Sequence, residues 1–494
     1  MLLEIITFIL SLIVVFSLYV RNKYNYWKSR GIVSVPGKFP FGSLKPCLLL
    51  QQNVSDTLAE MYRKYEGKKY VGFYGPLDAF LLIRDPEMIR IILSKEFTSF
   101  HDQAFTSSRS VDPLLAYNPF GCRGYDVWKN ARGVLSPALT ISKLKLMVND
   151  FVNAAENLNK YIGTKIGEPL EMKAVTSKYL ADAVVSAAYG VESDSFFSSS
   201  PPFHTKGDLF VDNNEANYAA MSALFMPIVG KLFRWRTLSK SLESKFIDLS
   251  NTGSEHRKKN KISRPDVLQH LINLNDKAIQ ENRKPFSELL MAVYTVAIYG
   301  DGVDTTGLMG EGVFYFLAKE SEVQEKLRQE ILNVVQDLKD LDLDKLNSIE
   351  YLDMIISEAL RLHSPIGILG RTCTKTVKID DLMIYEGTKV FIPIYAIHMD
   401  EKYYPEPEKF IPERFSKENR NDIHKFTFLP FGEGPRMCMG FRMAQIEMKV
   451  ALVAILLKYR MRLAKSAPNH LEKDTSSIFL TTAKGNIDVI FTPL

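Results

Sequence analysis

The sequence reads Phe431-Gly432-Glu433-Gly434-Pro435-Arg436-Met437-Cys438-Met439-Gly440 directly before an amphipathic run at residues 441–457. The run has the apolar spacing of a helix, so Cys438 is predicted to lie at a helix N-terminus. Unpaired backbone N–H groups and the positive end of the helix dipole favour a thiolate there, which predicts a lowered thiol pKa. The glycines allow the backbone to approach a flat group closely, and the Arg436 fork suits a carboxylate. Together these features suit haem.

This stretch resembles the F-x-x-G-x-R-x-C-x-G cysteine-ligand loop of the cytochrome P450 family. The resemblance implies that Cys438 is the axial thiolate ligand of the iron of haem b and that Arg436 binds a haem propionate. It also implies that Phe431 packs beside the sulfur, and that Gly432 and Gly440 belong to the same cofactor-binding loop.

This stretch has two other interpretations. A lone cysteine in a glycine-rich turn is often a buried and inert side chain, but here five residue types match at fixed spacing. A dinucleotide-binding loop is excluded because Met437 occupies the place of the third glycine in G-x-G-x-x-G.

Length and composition indicate one large globular unit. The chain has 494 residues, 46% of them hydrophobic, and no long Gly/Ser linker, sustained composition shift or internal repeat divides it. The formal net charge is +5, with basic residues spread among 57 acidic ones, which favours no nucleic-acid partner. The four cysteines lie far apart in sequence, which predicts reduced thiols rather than disulfides or a zinc site.

Residues 1–20 are almost wholly apolar, apart from Glu4, and are followed by basic residues. At about 1.5 Å per residue such a run spans a bilayer core of about 30 Å, and the positive flank predicts a cytosolic body. A buried N-terminal helix is the alternative. We predict a transmembrane signal-anchor at 1–20, a basic and proline-rich hinge at 21–46 and the haem-thiolate catalytic domain at 47–494. Similarity to microsomal members of the family implies a single-pass anchor on the cytosolic face of the endoplasmic reticulum membrane.

Three more residues resemble family positions that donate to a haem propionate. Trp128 and Arg132 lie four apart on a predicted helix and match the family's W-x-x-x-R, whereas Arg371 follows the glycine at position 370. Without the cysteine loop, an ordinary aromatic and arginine pair on a helix face would be the better explanation of Trp128 and Arg132.

A further match joins two segments that precede Cys438. Glu358 and Arg361 form E-x-x-R on a predicted helix, where residues three apart share a face. Arg414 lies in the P-E-R-F stretch, and the resemblance implies a Glu–Arg–Arg network behind the haem. These matches imply the cytochrome P450 fold, mainly α with a smaller β region, as a single large haem-binding domain behind an N-terminal membrane anchor.

The longest predicted helix, residues 287–319, contains Asp301-Gly302-Val303-Asp304-Thr305 near its centre. Glycine and threonine weaken the helical hydrogen-bond ladder there and can admit water. The segment resembles the family's A/G-G-x-D/E-T motif, which implies that Asp304 and Thr305 relay protons to dioxygen at the haem. Asp301 departs from the motif because the family usually has a small residue there.

Two hypotheses account for Asp301. A buried carboxylate needs a partner, so the side chain could turn away and pair with Arg109 or Arg123 of the long segment 100–124. Alternatively, it faces the pocket and selects substrates that carry an amine.

The resemblance also predicts a substrate pocket. It implies that segment 100–124 is a substrate-recognition loop and that Ile366, Ile368 and Phe479 line the pocket together with Asp301. The aromatic and apolar segment 203–233 either roofs this pocket, contacts lipid or packs in the core.

The family's activity then follows as an expectation. The chain is predicted to be a haem-thiolate monooxygenase that inserts one oxygen atom from dioxygen into an apolar small molecule, such as a xenobiotic, plant toxin, insecticide or hormone-like lipid. Electrons are expected from NADPH through a membrane-bound flavin reductase, with cytochrome b5 as a second donor. Candidate docking residues are Lys129, Lys425, Arg442 and Lys449.

Two other classes remain open from the sequence. A haem-thiolate isomerase or dehydratase would need no reductase, although Asp304 and Thr305 speak against it. A membrane-tethered haem binder without turnover is the other alternative.

Overall fold

The computed structural model describes residues 2–199, 201, 203 and 214–494. Over this part of the chain the fold is mainly helical, as predicted. The helices are α1 (Leu2–Tyr24), α2 (Lys45–Leu48), α3 (Val54–Lys64), α4 (Pro86–Arg90), α5 (Pro113–Tyr117), α6 (Tyr125–Leu135), α7 (Ile141–Gly163), α8 (Met172–Tyr189), α9 (Asn214–Phe225), α10 (Pro227–Phe233), α11 (Lys240–Asn260), α12 (Val267–Gln280), α13 (Glu288–Lys319), α14 (Ser321–Val334), α15 (Leu343–Ser348), α16 (Glu350–Leu362), α17 (Ile394–His398) and α18 (Phe441–Leu456).

The smaller β region forms three sheets. The strands are β1 (Tyr70–Tyr74), β2 (Ala79–Ile83), β3 (Asp102–Gln103), β4 (Pro169–Glu171), β5 (Leu369–Thr372), β6 (Val377–Ile379), β7 (Leu382–Ile384), β8 (Lys389–Ile392), β9 (Tyr459–Leu463) and β10 (Asp488–Pro493). The five-stranded sheet has the order β1-β2-β8-β5-β3, in which only β2 and β8 pair in parallel. Strands β4, β10 and β9 form the second sheet, and β6 pairs with β7.

Helix α13 lies at the centre of the helical layer, where it contacts α8, α11 and α16. Its sequence is apolar nearly all round, and most of its side chains are buried, as is typical of a helix enclosed on every side. The Ser287 hydroxyl caps its first turn by accepting from the Leu290 N–H, at 3.3 Å. The Asp-Gly-x-Asp-Thr segment is therefore held in the middle of the protein.

The segment between α1 and α2 packs on the first sheet. Trp27 is buried, and its indole N–H donates to the Phe73 carbonyl at 3.3 Å. A Cβ at Gly72 would overlap the Trp27 ring, so the indole lies directly on β1. The Val35 N–H also donates to the Gly72 carbonyl, at 2.8 Å.

The N-terminal run forms a helix, α1, whose described side chains are mostly exposed. Among the described residues, no helix is both long and apolar enough to cross a membrane. The single-pass anchor thus stays a prediction.

The predicted pocket or lipid segment 203–233 is described only in part, because residues 204–213 lie outside the described residues. In its described part, α9 buries Met221, Leu224 and Phe225, whereas α10 exposes Ile228 and Leu232. The two helices therefore differ: α9 packs into the protein, and α10 presents apolar side chains at the surface.

Candidate active site

A largely apolar cavity lies between α13 and the cysteine loop. The cavity has a volume of about 250 Å³, near the lower end of the roughly 300–1,000 Å³ of small-molecule pockets. The residues predicted from the sequence that line it are Arg132, Asp301, Thr305, Ile366, Ile368, Phe431, Gly432, Arg436, Cys438, Gly440 and Phe479. Trp128, Asp304 and Arg371 are not among its lining residues.

The cysteine loop is fixed by backbone hydrogen bonds. The Cys438 N–H donates to the Phe431 carbonyl at 2.9 Å, and the Met437 N–H donates to the Gly434 carbonyl at 3.0 Å. Gly434 has a φ of +78°, and a Cβ there would overlap the carbonyl oxygen of Leu93. Glycine is therefore required at this position for both its conformation and its close packing.

The pKa of the Cys438 thiol differs from the sequence prediction. The side chain is accessible from the cavity yet far from bulk solvent, and burial raises its pKa. Backbone N–H groups of Gly440 and Phe441 and the charge of Arg132 lower the pKa, as expected at a helix N-terminus, but burial has the larger effect. The prediction of a lowered thiol pKa was therefore wrong, because it counted the helix N-terminus and not the burial of the thiol.

Three buried N–H groups near the cavity have no acceptor. They are the Nε atoms of Arg371 and Arg436 and the Nε1 atom of Trp128. Desolvation lowers the pKa of Arg371 to about 9 and that of Arg436 to about 10. An unsatisfied buried donor is costly, so these groups indicate that an acidic ligand belongs beside them.

The remaining hydrogen bonds of these arginines hold them in place. Arg436 donates to the carbonyl oxygens of His101, Phe120 and Cys122, and its guanidinium lies 5.6 Å from the Trp128 ring centre. Arg371 donates to the side-chain oxygen of Gln103 at 2.5 Å. Their positions are therefore set by β3 and the segment that follows it.

Arg132 lies near the Cys438 sulfur. Its Nη1 atom donates to the Met437 carbonyl at 2.7 Å, and its charge lowers the pKa of the Cys438 thiol. The helix that carries the predicted W-x-x-x-R pair thus reaches the cysteine loop.

On the opposite wall, the Thr305 hydroxyl donates to the main-chain carbonyl of Asp301 at 2.6 Å. This bond crosses one turn of α13, as expected for threonine in a helix. Thr305 lines the cavity, whereas the neighbouring Asp304 does not. Of the predicted proton-relay pair, only Thr305 is in direct contact with the cavity.

The Asp301 side chain faces the cavity and accepts from the Asn118 amide at 3.0 Å. Neither predicted arginine partner is present. Arg109 lies over the Tyr117 ring, and Arg123 donates to Asp102 at 3.2 Å. The pairing hypothesis was therefore wrong about the partner, because an uncharged amide takes the place of an arginine.

The comparisons with known proteins agree with this geometry. The family profile described as Cytochrome P450 matches residues 36–489. The chain belongs to the cytochrome P450 family. Cytochrome P450 9e2 of Blattella germanica is 30% identical over 94% of this chain and 93% of the relative. Cytochrome P450 3A13 of Mus musculus is 33% identical over 92% of this chain and 90% of the relative. Lithocholate 6-beta-hydroxylase of Mesocricetus auratus is 31% identical over 95% and 93%.

This cytochrome P450 is a monooxygenase, and its cofactor is haem with an axial cysteine thiolate. The cavity fits this cofactor. The three unsatisfied donors suit the two carboxylates of haem, and a sulfur faces the same space. A Cβ at Gly302 or Gly440 would meet no atom within 4 Å, so both glycines keep the cavity clear.

The predicted Glu–Arg–Arg network of this P450 is formed around Glu358, with Glu358 and Arg361 fully buried and Arg414 partly exposed. Arg361 donates to its two carboxylate oxygens at 2.7 and 2.8 Å, and Arg414 donates to Oε1 at 3.3 Å. The Ile411 N–H adds a further bond to Oε1 at 2.9 Å. These bonds join α16 to the turn at residues 412–415.

The residues around the cavity that the sequence interpretation missed include the polar or aromatic side chains of Gln103, Asn118, Phe120 and Glu447. Three of them lie in segment 100–124, where no residue pattern indicates which side chains turn inward. Glu447 is buried on α18, and burial raises its pKa strongly. In the sequence, only the position of Glu447 one turn from the apolar residues of α18 could have indicated that it is buried.

One candidate docking residue was wrong. Lys449 is buried and pairs with Asp353 at 2.7 Å, so it is not available to a partner. Lys129, Lys425 and Arg442 are exposed.

Proposed function

We propose that this cytochrome P450 inserts one oxygen atom from dioxygen into an apolar small molecule: a xenobiotic, plant toxin, insecticide or hormone-like lipid. The observation that carries this proposal is the cavity itself, which brings the Cys438 sulfur and the Thr305 hydroxyl to one apolar space. Apolar side chains bind such substrates by excluding water. One relative is named Lithocholate 6-beta-hydroxylase, which supports insertion of oxygen into a small organic molecule.

In this proposal Cys438 would bind the iron through its sulfur, and Arg132, Arg371, Arg436 and Trp128 would hold the haem carboxylates. When bound, haem supplies the reductive activation of dioxygen, which the thiolate favours. Support comes from the three buried N–H groups that lack an acceptor. A haem carboxylate would satisfy them and offset the cost of burying the arginine charges.

Proton transfer is assigned to α13. The Thr305 hydroxyl holds a proton at the cavity wall, within the bond that it donates to the Asp301 carbonyl. Turning away from that carbonyl would aim the proton into the cavity. Asp304, the next residue along the helix, would replace the proton from outside the cavity.

Electrons are proposed to come from NADPH through a membrane-bound flavin reductase, with cytochrome b5 as a second donor. Basic side chains attract the acidic surface of such a partner. Lys129 and Arg442, on the helices that flank the cysteine loop, are exposed and suit this role together with Lys425.

We propose that the enzyme is attached to the cytosolic face of the endoplasmic reticulum membrane through α1, with α10 as a second contact. Ile228 and Leu232 on α10 are 80% and 75% exposed, unusually high for large apolar side chains. Lys231 lies between them, as is typical of helices that lie on anionic lipid.

The assignment of Cys438 is tested with the reduced carbon monoxide complex of the haem-loaded full chain. Cys438→Ala should abolish the thiolate-type spectrum, whereas Cys47→Ala, which alters another buried thiol, should keep it. A thiolate-type spectrum in Cys438→Ala would overturn the assignment. Product formation that continues without reductase and NADPH would instead favour the isomerase class.

The membrane proposal is tested by flotation with vesicles that contain anionic lipid. Deleting residues 1–20 should weaken binding without abolishing it, and adding Ile228→Ser and Leu232→Ser should release the protein. If the deletion alone releases the protein at low salt, α10 is not a second contact.

A further inference from the structure

The Asp301 carboxyl is a polar feature of the cavity wall that the monooxygenase reaction leaves unexplained. It lies on α13, four residues before Thr305, in a cavity whose wall is otherwise mostly apolar. Burial raises the pKa of Asp301 to about 7, against the lowering effect of the Asn118 hydrogen bond. No described residue forms an ion pair with it. An ionised carboxylate in such a place is costly unless a cation joins it.

The Asn118 amide holds this carboxyl in position. Asn118 is buried, and its side-chain oxygen accepts from the Phe120 N–H at 2.7 Å. That bond fixes the orientation of the amide, so its NH2 group donates to Asp301 Oδ2 at 3.0 Å. A neutral donor orients the carboxylate and leaves its charge uncompensated.

Aromatic rings line the same cavity as Asp301. Phe120 and Phe479 both line the cavity, with ring centres 6.0 Å apart, and Phe105 packs against both at 5.7 and 5.6 Å. Aromatic faces attract alkylammonium groups, and they do so most strongly where water is excluded. A cavity that contains both a carboxylate and aromatic rings is therefore suited to an organic cation.

From this arrangement we infer that Asp301, held by Asn118 in a cavity that Phe120 and Phe479 also line, selects substrates that carry a positively charged amine. The inference rests on the proposed monooxygenase function and narrows its substrate class. The amine end of the substrate would lie against α13, and the apolar remainder would fill the cavity.

Other charged groups do not compete for this position. Arg132 is directed to the Met437 carbonyl, and Arg436 to carbonyl oxygens of segment 100–124. Besides Asp301, the charged and titratable residues that line the cavity are Arg132, Arg436, Cys438 and Glu447. The charge of Asp301 also raises the pKa values of Tyr189 and Cys438.

The test compares two ligands of one shape, an aryl-alkyl trimethylammonium ion and its neutral tert-butyl analogue. A quaternary nitrogen cannot coordinate iron, so only the charge differs. Affinities for the haem-loaded full chain are measured by equilibrium dialysis and by haem spectral titration. Asp301→Asn should weaken binding of the cation about ten- to hundredfold and change that of the neutral analogue less than about twofold. Asp301→Glu, which keeps the charge, should retain the preference.

The pH dependence supplies a second readout. Because the ligand charge is permanent, the affinity of the unaltered enzyme for the cation should rise about tenfold from pH 6 to pH 8, as Asp301 ionises. The affinity of Asp301→Asn should not change over this range. Equal losses for both ligands, or the same pH dependence in Asp301→Asn, would overturn the inference.

Failure of this inference is distinguishable from failure of the proposed function. If the neutral analogue still binds and is oxidised with NADPH and reductase, the enzyme is a monooxygenase without amine selection. If neither ligand is oxidised while the thiolate-type spectrum is intact, the proposed function itself is wrong for this ligand class.

Discussion

Two buried polar regions of this cytochrome P450 differ in how completely their hydrogen bonds are formed. Around Glu358 every charged group has partners: both carboxylate oxygens accept, and Arg361 also donates to the carbonyls of His398 and Pro407 at 2.8 Å. At the cavity, Trp128, Arg371 and Arg436 each retain a buried N–H without an acceptor. The contrast separates a structural network, complete by itself, from a binding site completed by its ligand.

The difference predicts opposite responses to mutation. Removing a member of the complete network leaves charges unpaired and destabilises the fold. Removing an unsatisfied donor changes the stability of the fold little and lowers the affinity for the ligand instead.

The largest expected effect is that of Glu358→Ala. Two buried arginines would lose their shared carboxylate, which should lower the free energy of unfolding by about 3–5 kcal/mol. Chemical denaturation measures this change. Glu350→Ala is the matched control, since that residue lies on the same helix and makes only an exposed ion pair with Lys417. If both variants lose equal stability, the network is not the structural centre described here.

A smaller effect is expected when His398 is protonated. Its Nε2 atom accepts from the Leu429 N–H at 3.0 Å, and burial lowers its pKa to about 3. His398 in the unfolded chain therefore binds the proton more tightly than His398 in the folded protein. The stability that comes from keeping the imidazole neutral is complete above pH 6.5 and is lost as the pH falls from 6.5 toward 3. At pH 5 the loss should be about 2 kcal/mol.

His398→Gln keeps an acceptor but cannot be protonated in this range. Its free energy of unfolding, measured at pH 7 and pH 5, should fall less than that of the unaltered protein. An identical fall in the two proteins would show that other groups cause the acid sensitivity.

The smallest effect is expected for Trp128→Phe. This change removes the unsatisfied indole N–H but keeps a ring against Phe97, which lies 5.0 Å away between ring centres. Haem affinity should fall about tenfold because one bond to a carboxylate is lost, with little change in stability. Haem transfer to apomyoglobin measures the affinity.

Trp27→Phe is the matched control, because that indole already donates to the Phe73 carbonyl. It should lower stability and leave haem affinity unchanged. If Trp27→Phe lowered haem affinity and Trp128→Phe lowered stability, the distinction between the structural network and the ligand-binding region would be wrong.

The sequence by itself determined the elements whose signals are local. The glycine and cysteine loop, the long helix α13, the E-x-x-R helix and the short strands of the β region lie where their residue patterns predict them. Helix periodicity, strand alternation and turn residues act over a few neighbouring positions, so a single chain reveals them. Motifs at fixed spacing then indicated which elements meet at the cavity.

Only the tertiary structure decided what surrounds each side chain. The dipole at the start of α18 favours a low thiol pKa at Cys438, but burial by distant segments outweighs it. Asp301 pairs with Asn118, 183 residues away, rather than with an arginine, and Lys449 is buried rather than exposed. Burial and hydrogen-bond partners depend on which distant segments pack together, and local sequence carries no record of that choice.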